Sequence, residues 1–473
     1  MLTYTFAKGS GESLYEQLYD RIKADILTGR LAAGEKLPSK RTLADHLELS
    51  VITVKNAYEQ LIAEGYIYSR ERSGYFVSAM DWPLSAAAAA PQKISQLLPR
   101  PTWFLDFASG SPEPDDFPFT VWSRLMRQTI LEQGTRLLEP TPYNGAEELR
   151  RAIAAYLHQF RGMTVDPEQI IVGAGTEFLY NIIIQLLGRE KCYAVEDPGY
   201  SKISQIYAQN GVRLVRVGLD EAGLSVRALR REPADIVHLS PSHHYPTGIV
   251  MPIARRRELL RWAEESAERC ILEDDYDSEF RFVGRPIPTL FSTDESQRVI
   301  YLNTFSKTIA PSIRISYMLL PPRLLERYRE KLGFYACTVS SFEQYTLAEF
   351  IRQGRYEQHL SRMKNRYRQR RDAVIRLIGE SRLGERARIM EQDAGLHFLL
   401  RLETALPDGE LQRRAAARGL RLAMLSDYDS RPSAGRAHIL VVNYAGMDLS
   451  RLPEALERLA QVLDEEELPC TTN

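Results

Sequence analysis

The sequence contains little of what marks an exported or membrane-spanning protein. Only four of its 473 residues are cysteine (Cys192, Cys270, Cys337 and Cys470), and none forms a Cys-x-x-Cys pair. A disulfide scaffold and a cysteine zinc site are therefore disfavoured. No apolar run approaches the ~20 residues that span a bilayer, and the first residues lack the basic-then-apolar pattern of an export signal. We expect a protein of the reducing cytoplasm.

An excess of charge of one sign is also missing. The chain has 61 Lys+Arg against 62 Asp+Glu, a net charge of −1. No global field draws such a chain to nucleic acid or membrane, so either partner requires a local patch. The eight histidines have no metal-ligand spacing, and we predict no metal site. The length favours two or three domains, since domains average roughly 150 residues.

A change of composition over residues 79–102 divides the chain. The segment AMDWPLSAAAAAPQKISQLLPRPT has proline, serine and an alanine run in place of periodic pattern. Five alanines are too few for a stable isolated helix. We predict a linker that joins a domain of residues 1–78 to one of residues 103–473.

The first domain has the pattern of a winged helix-turn-helix. One helical stripe is followed by two short helices that begin after Ser39 and Ser50, both of them good N-cap residues. Two alternating segments around Glu71–Gly74 then predict a hairpin. The second short helix presents Thr53 and Asn56, which suit a DNA major groove. The basic residues that could meet phosphates are Lys40, Arg41, Lys55, Arg70 and Arg72.

Charge alone does not decide between DNA and a protein partner, because this domain has ten basic and ten acidic residues. Its motifs occur in the order "G-x-L-x-x-G-x-x-L-P-S-x-R-x-L-A", "S-x-x-T-V", "A-Y-x-x-L-x-x-E-G-Y" and "S-G-Y-F-V". This order resembles the GntR family of DNA-binding domains. The resemblance implies double-stranded operator DNA as partner. It implies DNA contact by Ser39, Lys40, Arg41, Ser50, Thr53, Asn56, Tyr58 and Gly74. One departure is Val51, where the family usually has Arg.

Beyond the linker, short apolar strands alternate with helices, which predicts an α/β fold with a mostly parallel sheet. A glycine turn at Gly173–Thr176 opens a helix and could hold an anion. A buried strand ends in Asp274, Asp275 and Tyr276, at the sheet edge where such folds bind ligands. A cluster of acids here could instead form a magnesium site or a solvated loop. Lys307 follows another strand, where a lysine is normally a surface residue.

The order of these motifs resembles the fold-type I aminotransferases, which use pyridoxal 5'-phosphate (PLP), over residues 105–460. The resemblance implies a large part of about 103–325 and a smaller α+β part of about 326–473. It implies that Lys307 forms the Schiff base (aldimine), that Asp274 pairs with the pyridine nitrogen, and that Tyr276 donates to the ring hydroxyl. The phosphate would be held by Ser306, Arg314 and the turn of Gly175 and Thr176, with Tyr200 on the ring face.

A GntR-type DNA-binding domain joined to an aminotransferase-like domain resembles the MocR/GabR group of bacterial transcription regulators. That resemblance implies a homodimer, domain-swapped head to tail. It also implies a large domain that senses PLP, an amine or an amino acid through the Lys307 aldimine. By alignment Val441 stands where aminotransferases have the arginine for the substrate carboxylate, and Tyr245 stands where they have Asn. The missing arginine favours a sensor over an enzyme. An active aminotransferase with an accessory DNA-binding domain, and a cofactor-free dimerisation platform, remain the alternatives.

Overall fold

The computed structural model describes residues 2–6, 12–79, 102–110, 113–282, 287–431 and 434–465. By packing, the chain divides into two units, Met1–Arg100 and Pro101–Asn473. Most of the predicted linker, residues 80–101, lies outside the described residues.

The first unit is a winged helix-turn-helix, as predicted. Its elements are α1 (Leu14–Leu27), β1 (Lys36–Leu37), α2 (Lys40–Leu47), α3 (Val51–Ala63), β2 (Ile67–Arg70) and β3 (Gly74–Val77). The three strands form an antiparallel sheet in the order β1-β3-β2. The Ser39 hydroxyl accepts from the Thr42 amide (3.2 Å), and the Ser50 hydroxyl accepts from the Thr53 amide (3.0 Å). Strand β1 escaped the sequence analysis because two residues show no periodicity.

The core of this unit corrects one prediction. Leu18, Val54 and Leu61 have no exposed surface, and neither does Tyr58. The Tyr58 ring packs edge-on against Tyr75 (4.9 Å between centroids), and its hydroxyl donates to the Pro38 carbonyl (3.0 Å). The prediction that Tyr58 approaches DNA is therefore wrong. Tyr58 lies one turn after Val54, on the buried stripe of α3.

The second unit is built on an eight-stranded mixed sheet in the order β5-β12-β11-β10-β9-β6-β7-β8. These strands are β5 (Ile170–Gly173), β6 (Cys192–Asp197), β7 (Arg213–Asp220), β8 (Gly223–Leu224), β9 (Ile236–Leu239), β10 (Cys270–Asp274), β11 (Val299–Thr304) and β12 (Ser316–Leu319). The five central strands, β11 to β7, are parallel, whereas β12, β5 and β8 pair antiparallel. Strands β6, β9, β10 and β11 are mostly apolar because both faces of the sheet are buried there, whereas most residues of β7, nearer the edge, are exposed or half-buried.

Helices connect and cover these strands. They are α4 (Phe119–Gln133), α5 (Glu147–Arg161), α6 (Thr176–Leu187), α7 (Ser201–Gln209), α8 (Val226–Leu229), α9 (Ile253–Glu264), α10 (Pro322–Leu332), α11 (Ser341–Arg352), α12 (Arg355–Glu380), α13 (Asp408–Ala417) and α14 (Leu452–Asp464). In the described ranges no helix combines the length and the apolar character that a membrane crossing requires.

The smaller part is not divided from the large part at the expected boundary near residue 325. Its antiparallel sheet joins β13 (Ala387–Met390), β14 (His397–Leu402) and β16 (Ile439–Asn443), beside a parallel pair of β4 (Leu105–Asp106) and β15 (Leu420–Arg421). Strand β4 therefore belongs to this part, with Phe107 in its core. Helix α11 packs instead on the large part, where Phe350 meets Trp122 (5.7 Å between centroids). Apolar contact across long sequence separations decides both assignments.

Candidate functional site

A cavity of about 510 Å³ opens at the carboxyl ends of the parallel strands β6, β9, β10 and β11. This size suits a small ligand or cofactor, and the position is the usual one for ligands in open α/β sheets. Seven of the eight predicted cofactor residues line it: Thr176, Tyr200, Asp274, Tyr276, Ser306, Lys307 and Arg314. The eighth, Gly175, is the N-cap of α6 and packs on Arg314. Residues that are far apart along the chain are thus brought to one place.

Lys307 lies in the turn after β11 and faces the cavity. Burial lowers the pKa of its amine, and the nearby charge of Asp277 partly opposes this effect. A lower pKa leaves more of the amine neutral near pH 7, and the neutral amine is the form that attacks a carbonyl.

The Asp274 carboxylate is held from one side only. The Tyr180 hydroxyl donates to its Oδ2 (2.5 Å), and Nε2 of His238 lies 3.5 Å from the same oxygen. Its Oδ1 is buried and has no hydrogen-bond partner within the described part of the chain. Such an oxygen can accept a hydrogen bond from a protonated ring nitrogen. Tyr180 was not predicted from the sequence, although it lies four residues after Thr176 and so on the same face of α6.

The neighbouring acid, Asp275, serves another purpose. It forms a buried ion pair with Arg161 and accepts from the Tyr301 hydroxyl (2.6 Å). Neither partner lines the cavity. The alternatives of a magnesium site and a solvated loop do not fit this arrangement. In the described ranges no group of three or more His, Cys, Asp or Glu side chains is placed to hold a metal ion.

One end of the cavity is cationic. The Arg314 guanidinium lies 3.0 Å from the Glu177 carboxylate, which also pairs with Lys202. Gly175 has φ +93°, and a Cβ there would overlap the guanidinium, lying 2.8 Å from Cζ of Arg314. The N-terminus of α6 and the Arg314 guanidinium therefore lie side by side at this end of the cavity. Backbone N–H groups at a helix N-terminus and a nearby cation can together bind an anion.

The other end is aromatic and apolar. The Tyr200 and Tyr245 rings meet edge-on (5.8 Å between centroids), and the Tyr245 and Tyr428 hydroxyls are hydrogen-bonded (2.8 Å). Val441 is completely buried in an apolar cluster that both Tyr245 and Tyr428 cover. Arg436, the nearest alternative anchor, pairs with Asp429 (2.5 Å). The position that holds the substrate carboxylate in the resembling enzymes thus offers no charge here.

The winged helix has a second candidate surface. Arg41, Lys55, Asn56 and Arg72 are exposed, and Arg72 lies in the wing turn with φ +57°. Ser39, Lys40, Ser50, Thr53 and Gly74 are exposed or half-buried. Of the ten predicted DNA-contacting residues, Tyr58 alone is buried.

Comparison with known proteins matches both units. Residues 14–77 fit the family of bacterial regulatory proteins, gntR family, and residues 104–459 fit aminotransferase class I and II. The chain is 38% identical to an HTH-type transcriptional regulator, YdeL of Bacillus subtilis (strain 168), over 94% of this chain and 96% of that protein. It is 34% identical to the probable rhizopine catabolism regulatory protein MocR of Rhizobium meliloti, over 94% and 93%. The chain belongs to the MocR-type family of transcriptional regulators.

The MocR-type assignment makes the chain a DNA-binding regulator rather than a metabolic enzyme. A further relative, 31% identical over 88% of this chain and 89% of its own length, is the pyridoxine biosynthesis regulator PdxR of Corynebacterium glutamicum. The large unit shares its fold with the kynurenine aminotransferase of Pyrococcus horikoshii. That match has a TM-score of 0.68 and 24% identity, and covers 77% of this chain and 91% of the enzyme. The predicted combination of a GntR-type reader and an aminotransferase-like domain is confirmed.

Proposed function

We propose that this MocR-type regulator binds pyridoxal phosphate at Lys307, and that the occupancy of this site controls its binding to operator DNA. One observation carries the proposal. A single cavity collects Lys307, a carboxylate with one unpaired buried oxygen among the described residues, and a cationic corner at a helix N-terminus. These are the amine, the ring-nitrogen partner and the phosphate partner that this cofactor needs.

The residues present fit the cofactor part by part. Asp274 would hold the proton on the ring nitrogen through Oδ1, and Tyr276 would reach the ring hydroxyl. Arg314, Ser306, Thr176 and the Gly175 turn would hold the phosphate, and Tyr200 would cover a ring face. When bound, the cofactor supplies an aldehyde that condenses with a lysine amine and a ring that withdraws electrons.

The effector we propose is PLP itself or an amine, rather than an ordinary α-amino acid held by its carboxylate. The cations among the described residues that line the cavity are Lys202, Lys307 and Arg314, and Val441 supplies none beside the Tyr245–Tyr428 pair. The same observation disfavours the aminotransferase alternative, because transamination of an α-amino acid needs its carboxylate held in place.

We further propose that the regulator acts as a homodimer in the cytoplasm. Large apolar side chains are exposed on the second unit: Phe119 (65%), Leu131 (75%), Leu138 (76%) and Phe334 (77%). We assign these side chains to the dimer interface, because burial against a partner would remove their apolar surface from water. A ligand that favours one arrangement of the dimer then shifts DNA affinity by its differential affinity for that arrangement. Sedimentation equilibrium of the full chain tests the dimer.

The cofactor proposal is tested by reducing the purified protein with borohydride in the presence of PLP and mapping its peptides by mass. We expect a phosphopyridoxyl group on Lys307, and none in Lys307→Ala. Lys202→Ala is the control, because this second lysine also lines the cavity. An adduct on Lys202 alone, or none in a folded wild-type protein, refutes the site.

A further inference from the structure

Two apolar side chains at the start of α3 are exposed. Val51 is 43% exposed and Ile52 is 69% exposed, whereas Val54, Ala57 and Leu61 of the same helix are completely buried. A single exposed apolar residue is common on a protein surface. Val51 and Ile52 are adjacent and β-branched, and they stay outside the core that buries Val54 of the same turn, so they form a candidate contact surface.

Their position is that of base-reading residues. Helix α3 is the second helix of the helix-turn-helix, whose N-terminal residues meet base edges in the major groove. The polar groups of this first turn are already paired. The Ser50 hydroxyl accepts from the Thr53 amide (3.0 Å) and also pairs with the Thr53 hydroxyl (2.8 Å). Val51 and Ile52 are therefore the side chains that the first turn presents outward.

The surroundings indicate DNA as the occupant rather than an apolar protein surface. Arg41 on α2 and Lys55 one turn further along α3 are both exposed, and cations beside the apolar pair suit phosphates on either side of a groove. The match to the gntR family covers this helix. In the major groove, thymine presents the apolar group, its C5-methyl.

We propose that Val51 and Ile52 recognise thymine C5-methyl groups in each operator half-site. Neither side chain can form a hydrogen bond, so they discriminate base pairs by burying the methyl group. Lys55 and Asn56 provide the polar contacts next to them. Burial of one methyl corresponds to about a fourfold change in affinity.

The test uses the full chain and removes single methyl groups from the DNA. Operator duplexes are selected from a randomised library, and each thymine is then replaced by deoxyuridine, which differs only in lacking the methyl. We expect one or two positions per half-site at which uracil weakens wild-type binding about fourfold. The double variant V51A/I52A should lose most of this preference for thymine, because alanine buries much less of the thymine methyl. Both residues are exposed and alanine is a good helix former, so the helix should persist, as circular dichroism can check.

Lys55→Ala is the matched control on the same helix. It should weaken binding to thymine and uracil duplexes alike and reduce the salt dependence, because a phosphate contact carries no base information. Selected half-sites in which no uracil replacement weakens binding overturn the proposal. It is also overturned if V51A/I52A keeps the full preference for thymine.

Discussion

Substitution of Gly175 by alanine provides a sharp test of the phosphate corner. Gly175 is the N-cap of α6, with φ +93° and ψ 158°. Glycine alone adopts this backbone region easily, and another residue there costs about 1–3 kcal/mol. The added Cβ would also overlap the guanidinium of Arg314, at 2.8 Å from Cζ. Arg314 is half exposed, so it can move outward and leave the corner.

Two separate losses follow. The free energy of unfolding should fall by about 1–3 kcal/mol from backbone strain. PLP binding should lose one charge-assisted hydrogen bond, worth about 1.5–3 kcal/mol, which corresponds to roughly a 10- to 150-fold weaker Kd. Pyridoxal, which lacks the phosphate, should bind Gly175→Ala and wild type about equally.

The assay is a titration of the full chain with PLP and with pyridoxal, followed by absorbance, alongside urea unfolding. Gly162→Ala is the control. Gly162 also has a positive φ (+63°), but among the described residues no atom lies within 4 Å of the position that an added Cβ would take. That variant should lose about 1–2 kcal/mol of stability and keep its PLP affinity. An unchanged Kd for PLP in Gly175→Ala, or an equal loss in both variants, would refute the reasoning.

Three other substitutions probe separate parts of the structure. Glu177→Gln removes the carboxylate that competes with phosphate for Arg314, so we expect about fivefold tighter PLP binding and unchanged pyridoxal binding in the same titration; weaker PLP binding would contradict this. Burial lowers the pKa of His359 to about 4, so the unfolded chain takes up its proton first and acid destabilises the fold. Between pH 7.5 and 4.5 wild type should therefore lose about 2–3 kcal/mol more stability than His359→Gln, whereas the exposed His158→Gln should lose as much as wild type, when urea unfolding is compared at both pH values. Ser50→Ala should lower the stability of α3 by about 1 kcal/mol, measured by amide exchange, and Ser50→Asn should restore it.

The local patterns of the sequence were sufficient for much of the architecture. Ser39 and Ser50 begin their helices as expected because an N-cap hydroxyl acts within three residues. The turn that carries Lys307 and the strand end at Asp274 were predicted for a similar reason, since the alternation of buried strands and polar turns is a short-range signal.

Residues that act across elements required the tertiary structure. Tyr180 and His238 reach Asp274 from α6 and β9, and no spacing in the sequence relates them to β10. The ion pair of Asp275 with Arg161 likewise joins residues more than a hundred positions apart.

Tertiary contacts also decided which side chains are buried. Tyr58 lies on the buried stripe of α3, one turn after Val54, and its ring packs against Tyr75 of the wing. Strand β4 joined the smaller part because it pairs with β15, over three hundred residues away in sequence, and because Phe107 lies in that part's apolar core. The sequence alone determined which elements form and which chemical groups they carry, because caps, turns and periodicity act over a few residues. Only the tertiary structure decided which groups meet, because desolvation and close contact depend on neighbours that are distant along the chain.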